Sequence, residues 1–339
     1  MLSVSRTAYS LGQRDRQSNW KRNSAECELA RAPGVWNGIP CKFILPIEHA
    51  TLNLWAPIRD DVQTYFRSRD VAWHDEESRD YGPRSSRGPS PHLLDSQVCA
   101  INFWWGLARS ASALAAVLRT VFPDLKEVVA IRSREAAMPP EWIGLRNYLG
   151  ERGWMRRGAH ATSADFLVAY VDANGARHGV LVESKYSESY GPDEWKRVSS
   201  KGTNRVEIYR GNFELPDGPF KRDVDIFIED LLIEPFDQHL RQQLLARAME
   251  RAGESNLETV TCLHVAPRGN DAFHRGVTAP RLATRGGTVA EAWRSILRIP
   301  GRYLSVAYED LFSRAVALRD PGLDAWCAYQ RARYPWEDP

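Results

Sequence analysis

The stretch that most constrains this chain runs from Ser163 to Lys185, S-A-D-F-L-V-A-Y-V-D-A-N-G-A-R-H-G-V-L-V-E-S-K. Two β-branched, apolar runs flank an Asp-Ala-Asn-Gly-Ala turn signal, so the segment reads as a hairpin. Side chains alternate faces along a strand, so Glu183 and Lys185 share one face. Whether Asp165 joins them depends on the turn. A two-residue Asn174-Gly175 turn would put Asp165 opposite Ser184 and its carboxylate on the other face. A three-residue loop, Ala173-Asn174-Gly175, closes Asp172 against Ala176 and sets Asp165 opposite Glu183. Gly175 suits the left-handed third position of that loop, and the spacing predicts the three-residue form.

Two carboxylates beside a lysine suit phosphodiester hydrolysis. Carboxylates hold one or two Mg²⁺ ions, and the compact lysine cation can orient water or neutralise developing charge. An E-x-K pair alone carries little information, since such pairs are usually exposed. Here Val180-Leu181-Val182 makes the second strand buried, and charges ending a buried strand require a reason. Ser184 points to the opposite face, toward packing.

The rest of the chain bounds the class. Hydrophobic residues make up 43% and charged residues 26%, a globular balance without a signature of disorder. A net charge of +2 excludes a uniformly basic coat for nucleic acid, leaving local patches. The five cysteines are scattered without a C-x-x-C pair, which fits neither a zinc motif nor a disulfide framework. No apolar run approaches the roughly 18 residues of a membrane span, and no secretory segment follows Met1, so a cytoplasmic protein without membrane contact is expected.

In chain order, residues 1–30 read as a basic, polar arm and 33–65 as short strands or an irregular packed layer. Residues 79–91 are a Gly/Pro/Ser/Arg-rich loop. Helical periodicity covers His92–Val121, a strand covers Leu125–Ile131, and the Pro139-Pro140 pair and Gly150 bracket a predicted helix, Pro140–Leu149. An amphipathic helix is expected over 237–251 and a buried strand over 259–265. Helical patterns return at 288–299, 303–318 and 321–333. Basic clusters at Arg152, Arg156, Arg157 and at Lys196, Arg197, Lys201 are candidate nucleic-acid contacts. His74, His92 and His264 lack ligand spacing on one helix and are given structural roles.

The Asp165…Glu183-Ser184-Lys185 pattern resembles the signature of the PD-(D/E)xK nuclease superfamily. Five further stretches resemble one bacterial family of restriction endonucleases within it: 92–103, 162–166, 182–190, 234–246 and 263–270. The resemblance implies an α/β fold with a restriction-endonuclease-like core. In it a mixed central sheet is flanked by helices, with N-terminal and C-terminal helical or irregular additions. The expected division is 1–90, an arm and irregular layer; 91–270, the nuclease core; and 271–339, a C-terminal helical extension.

The resemblance also implies Mg²⁺, with Mn²⁺ as a substitute, held by Asp165 and Glu183, and Lys185 as catalytic cation. Superfamily members often add an upstream carboxylate; Glu135 is preferred here over Glu127. Gln238 matches a helical glutamine near such sites, with Gln242 one turn on, although a plain polar helix face explains both equally. The expectation is a metal-dependent endonuclease acting on DNA in restriction or defence. A homodimer and a cognate methyltransferase are the partners that such a role invites. The alternatives are a non-cleaving nucleic-acid-binding module with a nuclease-like fold, or an RNA or structure-selective nuclease.

Overall fold

The hairpin lies in the middle of a mixed sheet. The computed structural model describes residues 7–82, 87–151, 156–158, 161–198 and 202–337. The chain enters through α1 (Ala8–Asn23), whose Thr7 side chain caps the Ser10 amide. A small ribbon of β1 (Gly34–Trp36) and β2 (Ile39–Cys41) and then α2 (Arg59–Ser68) follow. Next come α3 (Ser96–Ala100), a π-helical turn over Ile101–Trp105, α4 (Gly106–Ala108) and α5 (Ala111–Leu118). The strands β3 (Leu125–Val129), β4 (Pro140–Trp142), β5 (Ala164–Asp172) and β6 (Arg177–Ser184) lead to α6 (Arg205–Phe213), α7 (Ile228–Leu231) and α8 (Phe236–Arg251). After β7 (Thr259–Ala266) come α9 (Asp271–His274), α10 (Val289–Ile296), β8 (Tyr303–Ala307), α11 (Tyr308–Ala317) and α12 (Asp324–Arg333).

The six-stranded sheet has the order β3-β5-β6-β7-β8, with β4 also paired to β5. β5 runs antiparallel to β3, β4 and β6, whereas β6, β7 and β8 are mutually parallel. Alternation along β5 sorts the core into two layers. Phe166, Val168 and Tyr170 join one apolar cluster with residues of α2, α5, α11 and α12. Leu167 and Ala169 join a second, with residues of α6, α7, α8 and α10. This is the α/β architecture with a mixed sheet flanked by helices that the sequence led us to expect. Strand β8 lies past residue 270, so the sheet itself draws on the C-terminal part of the chain.

Three local expectations differ from the structure. The stretch 140–149 is not a helix: Pro140–Trp142 form β4, and turns follow. Consecutive prolines push the preceding residues toward extended backbone, and Glu141 has φ +49°, which no helix accommodates. The predicted helix at 303–318 begins as a strand, with the helix confined to α11. Residues 8–23 form a docked helix rather than a solvated arm. Its buried face carries Gln13, Gln17 and Lys21, so apolar periodicity does not reveal it. Gln17 Nε2 donates to Tyr186 Oη (2.8 Å), and Lys21 Nζ to the Ala32 and Ile44 carbonyls (both 2.6 Å). At the other end of the chain the buried Arg333 Nε donates to Gln17 Oε1 (3.1 Å) and its NH1 to the Asn53 carbonyl (2.6 Å). Burial normally costs such groups several kcal/mol, about 1–3 kcal/mol even for a neutral orphan, so each of these bonds is structurally demanding.

Candidate active site

The hairpin closes through the three-residue loop. Asp172 N donates to the Ala176 carbonyl (3.0 Å), and Gly175 takes φ +88°. Asp172 Oδ1 accepts the amides of Asn174 and Ala176, each at 2.8 Å, which fixes the turn from its own side chain. From that turn the register runs without slippage from Val171–Arg177 to Phe166–Val182. One step further sets Asp165 opposite Glu183, on the face that α8 covers.

The strand end is held tightly. Asp165 Oδ2 accepts the Ser184 amide at 2.6 Å, and the Lys185 amide donates to the Val265 carbonyl at 2.8 Å. Lys185 Nζ sits 2.7 Å from Glu183 Oε1, with both residues under 9% exposed. Ser184 turns to the opposite face, where Trp104 Nε1 donates to its Oγ (3.1 Å). Gln242 Nε2 donates to Glu183 Oε2 and to the Ser163 carbonyl, while His264 Nε2 meets Gln242 Oε1 at 3.0 Å. Glu183 and His264 are register partners across β6 and β7. Burial pushes His264 down to about 3, and the Lys185 charge adds to that. The neutral ring therefore donates Nε2–H to Gln242, which orients the amide so that its NH₂ faces Glu183.

A third carboxylate completes the cluster. Pro140–Phe166 and Trp142–Ala164 are register partners, so Glu141 falls opposite Asp165. It is buried, accepting Gln97 Nε2 at Oε1 and Ser163 Oγ at Oε2, both at 2.7 Å. Burial raises the Asp165 carboxyl well above its ordinary range, and the charges of Glu183 and Glu141 add to the rise; Lys185 and the Ser184 amide only partly offset them. Burial likewise raises Glu141. Lys185 is shifted upward: burial opposes its charge most strongly, but Glu183 together with Tyr190, Glu188 and Asp165 outweighs burial. Three carboxylates that disfavour one another's charge thus stand beside one ammonium, whereas the residues among those described that can each bring a ligand atom within 4.8 Å of the others are His74, Asp75 and Asp95.

The structure brings Asp165, Glu183 and Lys185 together and leaves other candidates apart. Glu135 is bound to Arg132 (2.9 Å), Arg157 (3.0 Å) and the Tyr65 hydroxyl. Glu127 is exposed on β3, near the turn end of the hairpin, where its partner is Val171. The buried carboxylate that stands opposite Asp165 is Glu141, in M-P-P-E-W. The signal was the proline pair, which favours extended chain beside a tryptophan. On α8, Gln242 reaches Glu183, whereas Gln238 Oε1 is buried without a hydrogen-bond partner among the described residues.

Among the basic candidates, Arg152 and Lys201 lie outside the described residues. Arg156 pairs with Glu76 (2.5 Å) and Asp70 (3.1 Å). Arg157 stacks over the Trp142 ring (4.7 Å) while pairing with Glu135, so both arginines serve internal contacts. Arg197 is exposed and lies over the exposed Trp195 ring (4.1 Å), and Lys196 lines a neighbouring cavity. No helix among the described residues is long and apolar enough to cross a membrane.

No curated protein and no solved structure matches the chain. A family match, however, extends over nearly all of it, from within the first helix through the carboxylate cluster and the last helix. Residues 14–335 match the family described as Restriction Endonuclease associating with ARP, and the chain belongs to that restriction-endonuclease family.

Proposed function

We propose that the protein is a metal-dependent endonuclease that hydrolyses phosphodiester bonds in DNA, with a role in restriction or defence. The observation that carries this reading is the convergence of Asp165, Glu183 and Glu141 with the Lys185 ammonium at the end of a buried hairpin. Asp165 and Glu183, assisted by Glu141, are the residues that would hold Mg²⁺ or Mn²⁺. When bound, that cation supplies Lewis-acid polarisation of the phosphate and lowers the pKa of water. Lys185 keeps its charge under these conditions and offsets negative charge on the phosphoryl oxygens. Gln242, oriented by His264, holds Glu183 in one rotamer so that its carboxylate need not reorganise. Two cuts in a duplex call for two such sites, which a homodimer provides. A cognate methyltransferase is the further partner that a restriction role invites.

The test is incubation of purified protein with supercoiled, linear and single-stranded DNA and with RNA, with and without Mg²⁺ or Mn²⁺. Asp165→Asn and Lys185→Ala are run alongside. Metal-dependent cleavage of DNA that both substitutions abolish supports the reading. Binding without cleavage favours a non-cutting module, cleavage of RNA alone moves the substrate, and cleavage that survives both substitutions defeats the mechanism.

A further inference from the structure

Along the segment that follows Lys185 opens a cavity of about 560 Å³, within the size range of small-molecule sites. Its walls come from distant parts of the chain: Trp36 at the end of β1, His74 and Tyr81 after α2, His92 before α3, and Glu188 and Tyr190 just beyond Lys185. Trp36 and Tyr81 both meet His92 edge-on, with centroids 5.9 and 6.4 Å apart. These rings build an aromatic wall.

Beside it stands a polar pair. His74 Nδ1 lies 2.6 Å from Asp95 Oδ2, and its Nε2 lies 3.5 Å from Asp75 Oδ1. Tyr81 Oη donates to Asp75 Oδ2 at 3.0 Å. Burial works against charge on His74, but Asp95 and Asp75 outweigh it and push the imidazole up to about 10. A ring N–H donor therefore sits next to a carboxylate acceptor.

The cavity is also connected to the site. Gln97 Oε1 accepts the His74 amide (2.8 Å), while the same side chain donates to Glu141. Tyr190 and Glu188 both act electrostatically on Lys185.

The lining discriminates between ligand classes. Asp75, Asp95, Glu188 and Glu194 outnumber Arg14, His74 and Lys196, which disfavours a phosphate. His74, Asp75 and Asp95 can each turn one ligand atom to within 4.8 Å of the others, as a metal requires. A single ion, however, uses neither the aromatic wall nor the volume. A planar heterocycle uses all of it: its face stacks on the rings, and its edge meets a donor beside an acceptor.

We propose that this cavity receives one unpaired or extruded nucleobase of the DNA strand whose phosphodiester lies at Asp165 and Glu183. The inference rests on the nuclease reading and gives the segment before residue 96 a task, selection of substrate by a base out of the stack.

Binding by the full chain in EDTA tests it, using fluorescence anisotropy with three duplexes. One is fully paired, one carries a single bulged base, and one carries an abasic residue at the bulge. The bulged base is expected to bind on the order of tenfold tighter than the paired duplex, the scale of one stacking interaction. The abasic duplex should lose that gain. Trp36→Ala and the isosteric Asp75→Asn should lose it too, while still binding paired DNA. Equal binding of bulged and abasic duplexes overturns the proposal, as does a gain retained in both variants or no binding to any DNA. Tight binding of a free deoxynucleoside monophosphate without a gain for the bulge also overturns it. Cleavage of the same duplexes in Mg²⁺ is scored separately. Cutting without base preference sinks the cavity and keeps the nuclease; base preference without cutting in any metal does the reverse.

Discussion

Glu141 and Asp165 face each other across β4 and β5, a pairing of like charges that a sheet tolerates only with compensation. Gln97 and Ser163 neutralise part of the cost at Glu141, and the Ser184 amide does so at Asp165. Glu141→Gln removes one charge and keeps the shape. Metal-dependent cleavage and Mn²⁺ affinity, the latter by calorimetry, should each fall roughly 10–100-fold, the usual cost of disturbing a metal site's supporting group. Unchanged Mn²⁺ affinity would exclude Glu141 from the cation site.

The raised Asp165 carboxyl predicts a pH dependence with a definite sign. Its folded value lies above its unfolded one, so its stabilisation is complete below the unfolded value, near pH 4, and is lost as pH rises through the folded value. In EDTA, melting temperature should therefore decline from mildly acidic toward neutral pH. Asp165→Asn should flatten that decline and raise the neutral-pH melting temperature, by about 2–4 °C per kcal/mol relieved. Mg²⁺ should restore wild-type stability at neutral pH and leave the variant unaffected. A wild-type melting temperature insensitive to both pH and Mg²⁺ would contradict this.

Lys185 and Glu183 form a buried pair, so breaking it should cost more than deleting it. Lys185→Met is expected to destabilise by about 3–5 kcal/mol, because Glu183 is left uncompensated. Adding Glu183→Gln should recover most of that loss in urea unfolding without restoring cleavage. A double variant as unstable as the single one would show that packing, not charge, sets the cost.

Arg333→Ala tests the fastening of the outer helices. The guanidinium is fully buried, bonds Gln17, Asn53 and Tyr329, and lies 4.4 Å over the Trp20 ring. A loss of about 3–5 kcal/mol is expected from the orphaned acceptors. Hydrogen exchange should quicken in α1 and around Tyr186 before it does in β7. Protection lost uniformly would argue against a local tie.

The site was legible where backbone rules decide geometry. Strand alternation and the left-handed demand on Gly175 were enough to set Asp165 against Glu183. Glu141 was missed because its position depends on a strand only three residues long, too short for periodicity to register, in a segment whose prolines also resemble a helix entry. Glu135 looked equally suitable in sequence, and its ties to Arg157 and the Tyr65 hydroxyl arise only from tertiary contact. The helix α1 escaped notice for a related reason: it docks through buried glutamine and lysine hydrogen bonds, whereas pattern reading follows apolar stripes. Likewise Y-L-S-V-A at 303–307 merged with the helix after it, since strand and helix signals overlap in short apolar runs.

Tyr186 follows Lys185 directly, and its hydroxyl is gripped by Gln13 and Gln17 of the first helix, which Arg333 of the last helix grips in turn. During synthesis the first helix emerges early, but it lacks its clamp until Arg333 has been translated. The brace on the residue next to that lysine is thus closed only once residue 333 is present. A truncation before residue 333 would therefore leave Tyr186, and the lysine before it, without that tie.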